Sequence, residues 1–278
     1  MMSLEKILEN QDLKNYTSKV EEILGYARNS LYHEINSEIS PGDKKRINKA
    51  EKEYQSYIKQ TIGIIGKLTK TGELEKVQTA ENIANLLMSE NYILEYKPTF
   101  FDKIKDLFSG LFNKGLRSSD KTINQIYKLE NMIINGYKKG IDKIKKEYNA
   151  TQDSNLLKEL KKYQTAREKT ADFVKRLKEA DLLLKTERSL YKENEIDTAM
   201  QVYNDLKEYV DNNLKDTAAY NPLKVVIDFE YDKKFKDYTA KQQQQKTKQP
   251  PPPQQNKAEV TAKPAATPQK VVNNSKQK

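Results

Sequence analysis

Apolar residues recur along this chain at alternating three- and four-residue intervals, the spacing that lines one face of an α-helix. In the first segment, Leu4 to Ile39, the positions Leu13, Tyr16, Val20, Ile23, Ala27, Leu31 and Ile35 share a stripe, which predicts one long helix. Ser40-Pro41-Gly42-Asp43 ends it, and Asp43 stands where an N-cap is needed for a second helix. That helix runs through Ala50, Tyr54 and Ile58 into the apolar run Ile62 to Leu68, in which Gly63 and Gly66 would permit close helix approach. Thr71-Gly72 turns the chain, and Leu74 to Leu94 reads as the returning helix.

Pro98 interrupts the pattern, and the segment after it departs from the rest of the chain. Four of the seven phenylalanines fall between Phe100 and Lys114. On a helical wheel Phe101, Ile104, Leu107, Phe108, Leu111 and Phe112 occupy one arc, with Asp102, Asp106, Ser109 and Asn113 opposite. Thr99 with Asp102 three residues on is a helix-start signal, and Gly115 a stop. Lys103, Lys105 and Lys114 flank the apolar arc, the arrangement that lets lysines reach lipid headgroups. The segment has two readings: a packing helix of the body, which aromatic stripes usually are, or a membrane or partner surface. Liposome flotation of the chain and of Phe108→Asp separates them.

The regular pattern then resumes. Ile123, Tyr127, Ile134, Tyr137, Ile141, Ile144 and Tyr148 predict a helix over 120–148, and residues 150–155 a turn. Leu156, Leu160, Tyr163, Thr170, Val174, Leu177 and Leu184 extend the next helix, with Arg167 and Asp181 on stripe positions. Charges in the seam argue against a continuous two-stranded coiled coil and suit a multi-helix array. After a turn at Asn194, Ile196, Ala199, Tyr203, Leu206 and Val210 give another helix. The order Ala199, Tyr203, Leu206 behind an acidic turn resembles the second half of a tetratricopeptide unit over roughly 30 residues. No regular period accompanies it, and a generic helical hairpin is the reading taken. Residues 224–232 alternate like a strand, yet Ile227, Tyr231 and Tyr238 also fit a helix, which a lone strand's instability favours.

From Lys241 the composition shifts to Gln, Pro, Lys and Ala, too polar to bury a core, so residues 241–278 are expected to form a disordered tail. The expected fold class is therefore all-α: an elongated multi-helix bundle or helical-hairpin array with a disordered C-terminal tail. The regions are 1–97, 98–240 and 241–278. A mean hydropathy of −0.92 and only 36% hydrophobic residues agree with narrow apolar stripes rather than one thick core. No glycine occurs after Gly140, so later turns needing positive φ fall to Asn or Asp.

Charge alters the functional picture through its distribution. Net charge is −2 over 1–96, +7 over 97–146, −2 over 147–240 and +7 over 241–278, so two zones carry the whole excess of +10. With 44 Lys against six Arg, bidentate base and phosphate reading is disfavoured, leaving nonspecific nucleic-acid attraction by 97–146 and 241–278 as an alternative. An anionic membrane surface is a second alternative.

Candidate chemistry is scarce. Without cysteine and with His33 alone, thiolate metal sites and nucleophile–base pairs lack material, so no cofactor, metal or enzymatic activity is expected. His33-Glu34 lacks the second histidine of a zinc motif, since position 37 is Ser. Gly66-Lys67-Leu68-Thr69 lacks the earlier glycine of a phosphate loop, position 61 being Thr. Carboxylates are plentiful, and none stands out as an acid–base couple. Pro250, Pro251, Pro252 and Pro253 form a candidate polyproline motif in the tail. No apolar leader segment opens the chain, which places it by expectation in the cytoplasm, with peripheral membrane attachment or signal-independent export as alternatives. The expected function is a non-enzymatic interaction or scaffold protein that binds protein partners through helix faces and tail, with self-association a further outcome.

Overall fold

Stripe by stripe, the chain folds into nine α-helices among the residues that the computed structural model describes, 3–36, 43–95 and 119–248. No strand occurs among them. The all-α expectation holds, and residues 224–232 are helical.

The first predicted helix is broken in two. Ser3 caps α1, Leu4–Leu8, by accepting a hydrogen bond from the Lys6 N–H, and Leu4 and Leu8 are fully buried. Asp12 is extended, a 3₁₀ turn spans Leu13–Asn15, and α2 runs Tyr16–Asn36. Apolar spacing continues across the break because both pieces face the same core, so periodicity alone reads them as one. The second helix, α3, covers Asp43–Thr71.

Gly72, at φ +70°, makes the turn into α4, Leu74–Ser89. The returning helix is also interrupted: Asn91 adopts φ +59°, and a short α5 comes next at Tyr92–Glu95. The left-handed conformation ends helices wherever a residue tolerates it, and here it divides Leu74 to Leu94 into two.

Long helices supply the rest. α6 spans Ser119–Thr151 and α7 spans Ser154–Lys192. Between them Gln152 takes φ +57°, where Asn or Asp was expected, and Asp153 caps α7 through its side chain to the Asn155 N–H. Asn194, at φ +65°, turns the chain into α8, Ile196–Asn213. The last helix, α9, covers Tyr220–Lys248, with buried Pro222 in its first turn, where a missing N–H costs nothing. Pro222 thus marks a helix start. Helix α9 also carries eight residues beyond the expected tail boundary at 240; residues 249–278 lie outside the described residues.

With 39 residues, α7 is about 58 Å long. It packs on both α6 and α8, so it belongs to two successive helical hairpins. Residues 1–236 form one unit whose buried side chains join a single apolar cluster from Leu4 to Phe235. Tight approach occurs at Gly140, where a Cβ would overlap the Tyr163 ring and the Gly72 carbonyl oxygen. Tyr163 donates its hydroxyl to that carbonyl at 2.8 Å, tying α7 to the α3–α4 turn. Gly63 and Gly66 do not serve close packing: nothing lies within 4 Å of a Cβ at Gly63, and Gly66 meets only the Met132 sulfur at 4.0 Å.

Candidate functional site

Glu95, Glu187 and Glu130 stand in contrasting surroundings, the last two buried and the first half-buried. Glu95 closes α5 and is held on every side. Arg28 Nε reaches it at 3.1 Å, Tyr32 donates at 2.9 Å, Tyr54 donates to it as well, and Gln55 donates to its backbone carbonyl at 2.7 Å. Arg28 also lies 3.7 Å from the Tyr92 ring centroid and donates to the Glu90 carbonyl. This clasp fixes the point from which the chain enters residues 96–118. Burial and its hydrogen bond to Glu95 raise the Tyr54 pKa.

Glu187, on α7, is fully buried. Lys234 of α9 donates to both its oxygens, at 3.1 and 2.9 Å. The lysine Nζ lies 5.5 Å from the Tyr191 ring centroid and 5.4 Å from that of Tyr203, within cation–π range. The Tyr203 ring in turn meets those of Tyr231 and Phe235 in tilted and edge-on contacts, with the Tyr203 and Phe235 centroids 5.6 Å apart. Burial pushes the Glu187 carboxyl pKa up, and Lys234 pulls it back.

Glu130 is the third, and it has no such companion. It lies on the buried face of α6 with Ile123, Ile126, Leu129, Ile133 and Tyr137, and is 4% exposed. Among the described residues it receives no hydrogen bond and no ion pair. Burial first, and the neighbouring Glu81 second, push its carboxyl pKa up to about 8. A group so placed is mainly protonated at neutral pH.

Glu130 faces a cleft of about 640 Å³ walled by α4, α6, α7 and the turn between α8 and α9. Across it Glu81, on α4, accepts the Tyr137 hydroxyl at 2.5 Å on one oxygen, while the Thr170 hydroxyl, 3.3 Å from the other, shares its single proton with the Ala166 carbonyl at 3.2 Å. Both donors are neutral. Burial and the Glu81 bond raise the Tyr137 pKa, so the phenol keeps its proton. The cleft's arginine is turned aside: Arg176 Nη1 donates to the Asn213 carbonyl at 2.5 Å and to Asp216 at 3.1 Å. Its Nε stands 3.2 Å from Asp172 but outside hydrogen-bonding geometry. Lys169 is exposed at the rim. Leu86, Met88, Phe173 and Ala218 add an apolar strip.

The candidate surface Phe101, Lys103, Ile104, Lys105, Leu107, Phe108, Leu111, Phe112 and Lys114 lies outside the described residues, as do Pro250 to Pro253. His33 is exposed on α2, and Glu34 pairs with Arg46 at 3.6 Å. Among the described residues no group of three or more metal-ligating side chains gathers, and no helix is long and apolar enough to cross a membrane.

Sequence reasoning missed Glu130, yet left a trace of it. The expected stripe over 120–148 passes from Tyr127 directly to Ile134, omitting a position, and Glu130 stands in that gap. Tyr127 and Ile134 prove to be half-buried shoulders of the face whose centre Glu130 shares. Glu81 left no trace, because its partners are 56 and 89 residues away.

No protein-family model, no curated protein and no solved structure matches the chain. The helical fold and the chemistry of the cleft are what bear on function.

Proposed function

We propose that this chain is a non-enzymatic interaction protein, a helical scaffold that receives a partner at the cleft between α4, α6 and α7. One observation carries the reading: at Glu130 the fold buries a carboxyl on its core stripe and supplies no cation from its own described residues. An unpaired buried acid costs stability. A purely structural position gains nothing from it, whereas a recognition surface does. Two further features support partner binding. Tyr26 and Leu182 stand 78% and 65% exposed, and Val225 and Phe229 lie exposed one turn apart on α9.

The test uses the full chain, affinity-purified from the cells that make it, beside Asn85→Trp, which fills the cleft mouth, and a chain ending at 248. Loss of specific partners from Asn85→Trp, with retention in the shortened chain, is expected. Partners unaffected by Asn85→Trp but lost on shortening would move recognition to the tail, and no specific partner in any form would overturn the scaffold reading.

A further inference from the structure

Resting on the reading of this cleft as a recognition surface, we infer that the group it receives is an alkylammonium: a primary ammonium head on an aliphatic stem. The Glu81 carboxylate is the charged anchor. One of its oxygens accepts the Tyr137 hydroxyl and the other faces the Thr170 hydroxyl, which is shared with the Ala166 carbonyl, so neutral groups orient it and no cation cancels its charge. Glu130 on the facing helix is the second acceptor, nine-tenths buried and without a donor among the described residues. An ammonium between them supplies what both lack, with three donors to share.

The rest of the wall selects the stem and excludes rivals. Leu86, Met88, Phe173 and Ala218 give an apolar lane beside the acids, suited to the methylene chain of a lysine-like side chain. Arg176 is drawn through Nη1 to the Asn213 carbonyl and Asp216 and makes no hydrogen bond to Glu81 or Glu130, so it does not fill the place itself. Of the four carboxyls that line the cleft, no three gather closely enough among the described residues to hold a divalent metal. The contrast within the molecule is direct: at Glu187 the same role is already taken by the protein's own Lys234.

Binding is coupled to a proton. The charged and titratable groups lining the site are Glu81 from α4, Glu130 and Tyr137 from α6, Lys169, Asp172 and Arg176 from α7, and Asp216 from the next turn. Glu130 changes charge near neutrality, because burial and Glu81 push it up to about 8. An arriving ammonium favours its ionised form, so uptake of the ligand at pH 7 releases the proton, and affinity rises with pH toward 8.

The experiment is calorimetric titration of the full chain with n-butylammonium, 1,5-diaminopentane and an acetylated, amidated Gly-Lys-Gly peptide, at pH 7 in two buffers of different ionisation enthalpy. Tetramethylammonium, which has no N–H, serves as control. The expected result is binding of the primary ammonium probes with release of roughly one proton, and none of tetramethylammonium. Glu130→Gln should bind roughly tenfold or more weakly and release no proton. Circular dichroism and the apolar variant Glu130→Leu, which should also lose binding, guard against misfolding as the cause. Tighter binding of the peptide supports a partner's lysine as the source, and tighter binding of the diamine supports a free amine.

Absence of binding by every primary ammonium, undiminished binding in Glu130→Gln, or binding of calcium in place of ammonium would overturn the inference. Loss of partners from Asn85→Trp without ammonium binding would leave the scaffold reading standing and remove only this chemistry.

Discussion

Glu187 and Glu130 occupy comparable places and are treated in opposite ways. Each stands on the buried face of a long helix, at a stripe position that an apolar residue would fill. At Glu187 the chain brings Lys234 across from α9 and surrounds it with the rings of Tyr191 and Tyr203, so charge meets charge inside the fold. At Glu130 it brings another acid, Glu81, and ties the cleft's arginine to the α8–α9 turn. The first is a closed cross-link between helices. The second faces a cleft, its proton standing in for a missing cation. A buried carboxyl therefore has no fixed meaning; its partner decides whether it is architecture or a place to bind.

The largest effect expected from this contrast is at the closed site. Lys234→Met strands Glu187 without a counter-charge and should cost about 3–5 kcal/mol in urea unfolding. The double variant Glu187→Leu with Lys234→Met should recover most of that loss, because an apolar pair replaces an ion pair cheaply. A loss under about 1 kcal/mol for Lys234→Met would place the two sites on the same footing and break the comparison.

Next comes pH. In the folded chain Glu130 holds its proton up to about 8, whereas in the unfolded chain it ionises near the ordinary value of about 4.3. Between those values the unfolded chain binds fewer protons than the folded one, so this group's contribution to stability falls as pH rises and levels off above 8. The wild-type chain should lose on the order of 4 kcal/mol more than Glu130→Gln between pH 4 and 8. Parallel stability profiles for the two chains would contradict the assignment.

A smaller effect, of opposite sign to ordinary core damage, is expected from Glu130→Leu. Filling the stripe with an apolar side chain should gain about 2 kcal/mol at pH 7. The same change removes the acid that the ammonium needs. Stability rising while binding falls is the signature of a residue retained for recognition.

Much of this architecture is legible in the chain. The stripes through Ile123 to Ile144 and Ile196 to Val210, and the turns at Gly72 and Asn194, reappear as helices and connections. The breaks after Leu8 and at Asn91 are not legible, because apolar spacing persists through them while one or two backbone angles change. Arg167 and Asp181 stand out on a straight stripe, yet Arg167 is exposed and Asp181 pairs with Lys185 at 2.7 Å. The buried charge is Glu187, because the inward face of α7, from Tyr163 through Leu177 to Leu184, drifts around the helix over its 39 residues. Glu130 is visible only as a gap, and its pairing with Glu81 arises when helices distant in sequence meet. The phenylalanine-rich stretch, the loudest signal in the sequence, lies outside the described residues.

The most direct test of the contrast is a carboxyl carbon-13 NMR titration of Glu130 in the full-length chain, assigned by its loss in Glu130→Gln. A midpoint near 8 that falls when butylammonium is added is the result expected. A midpoint in the ordinary glutamate range, about 4.3, unmoved by the amine, would mean that Glu130 is already satisfied and that the cleft is no different from the closed site around Glu187.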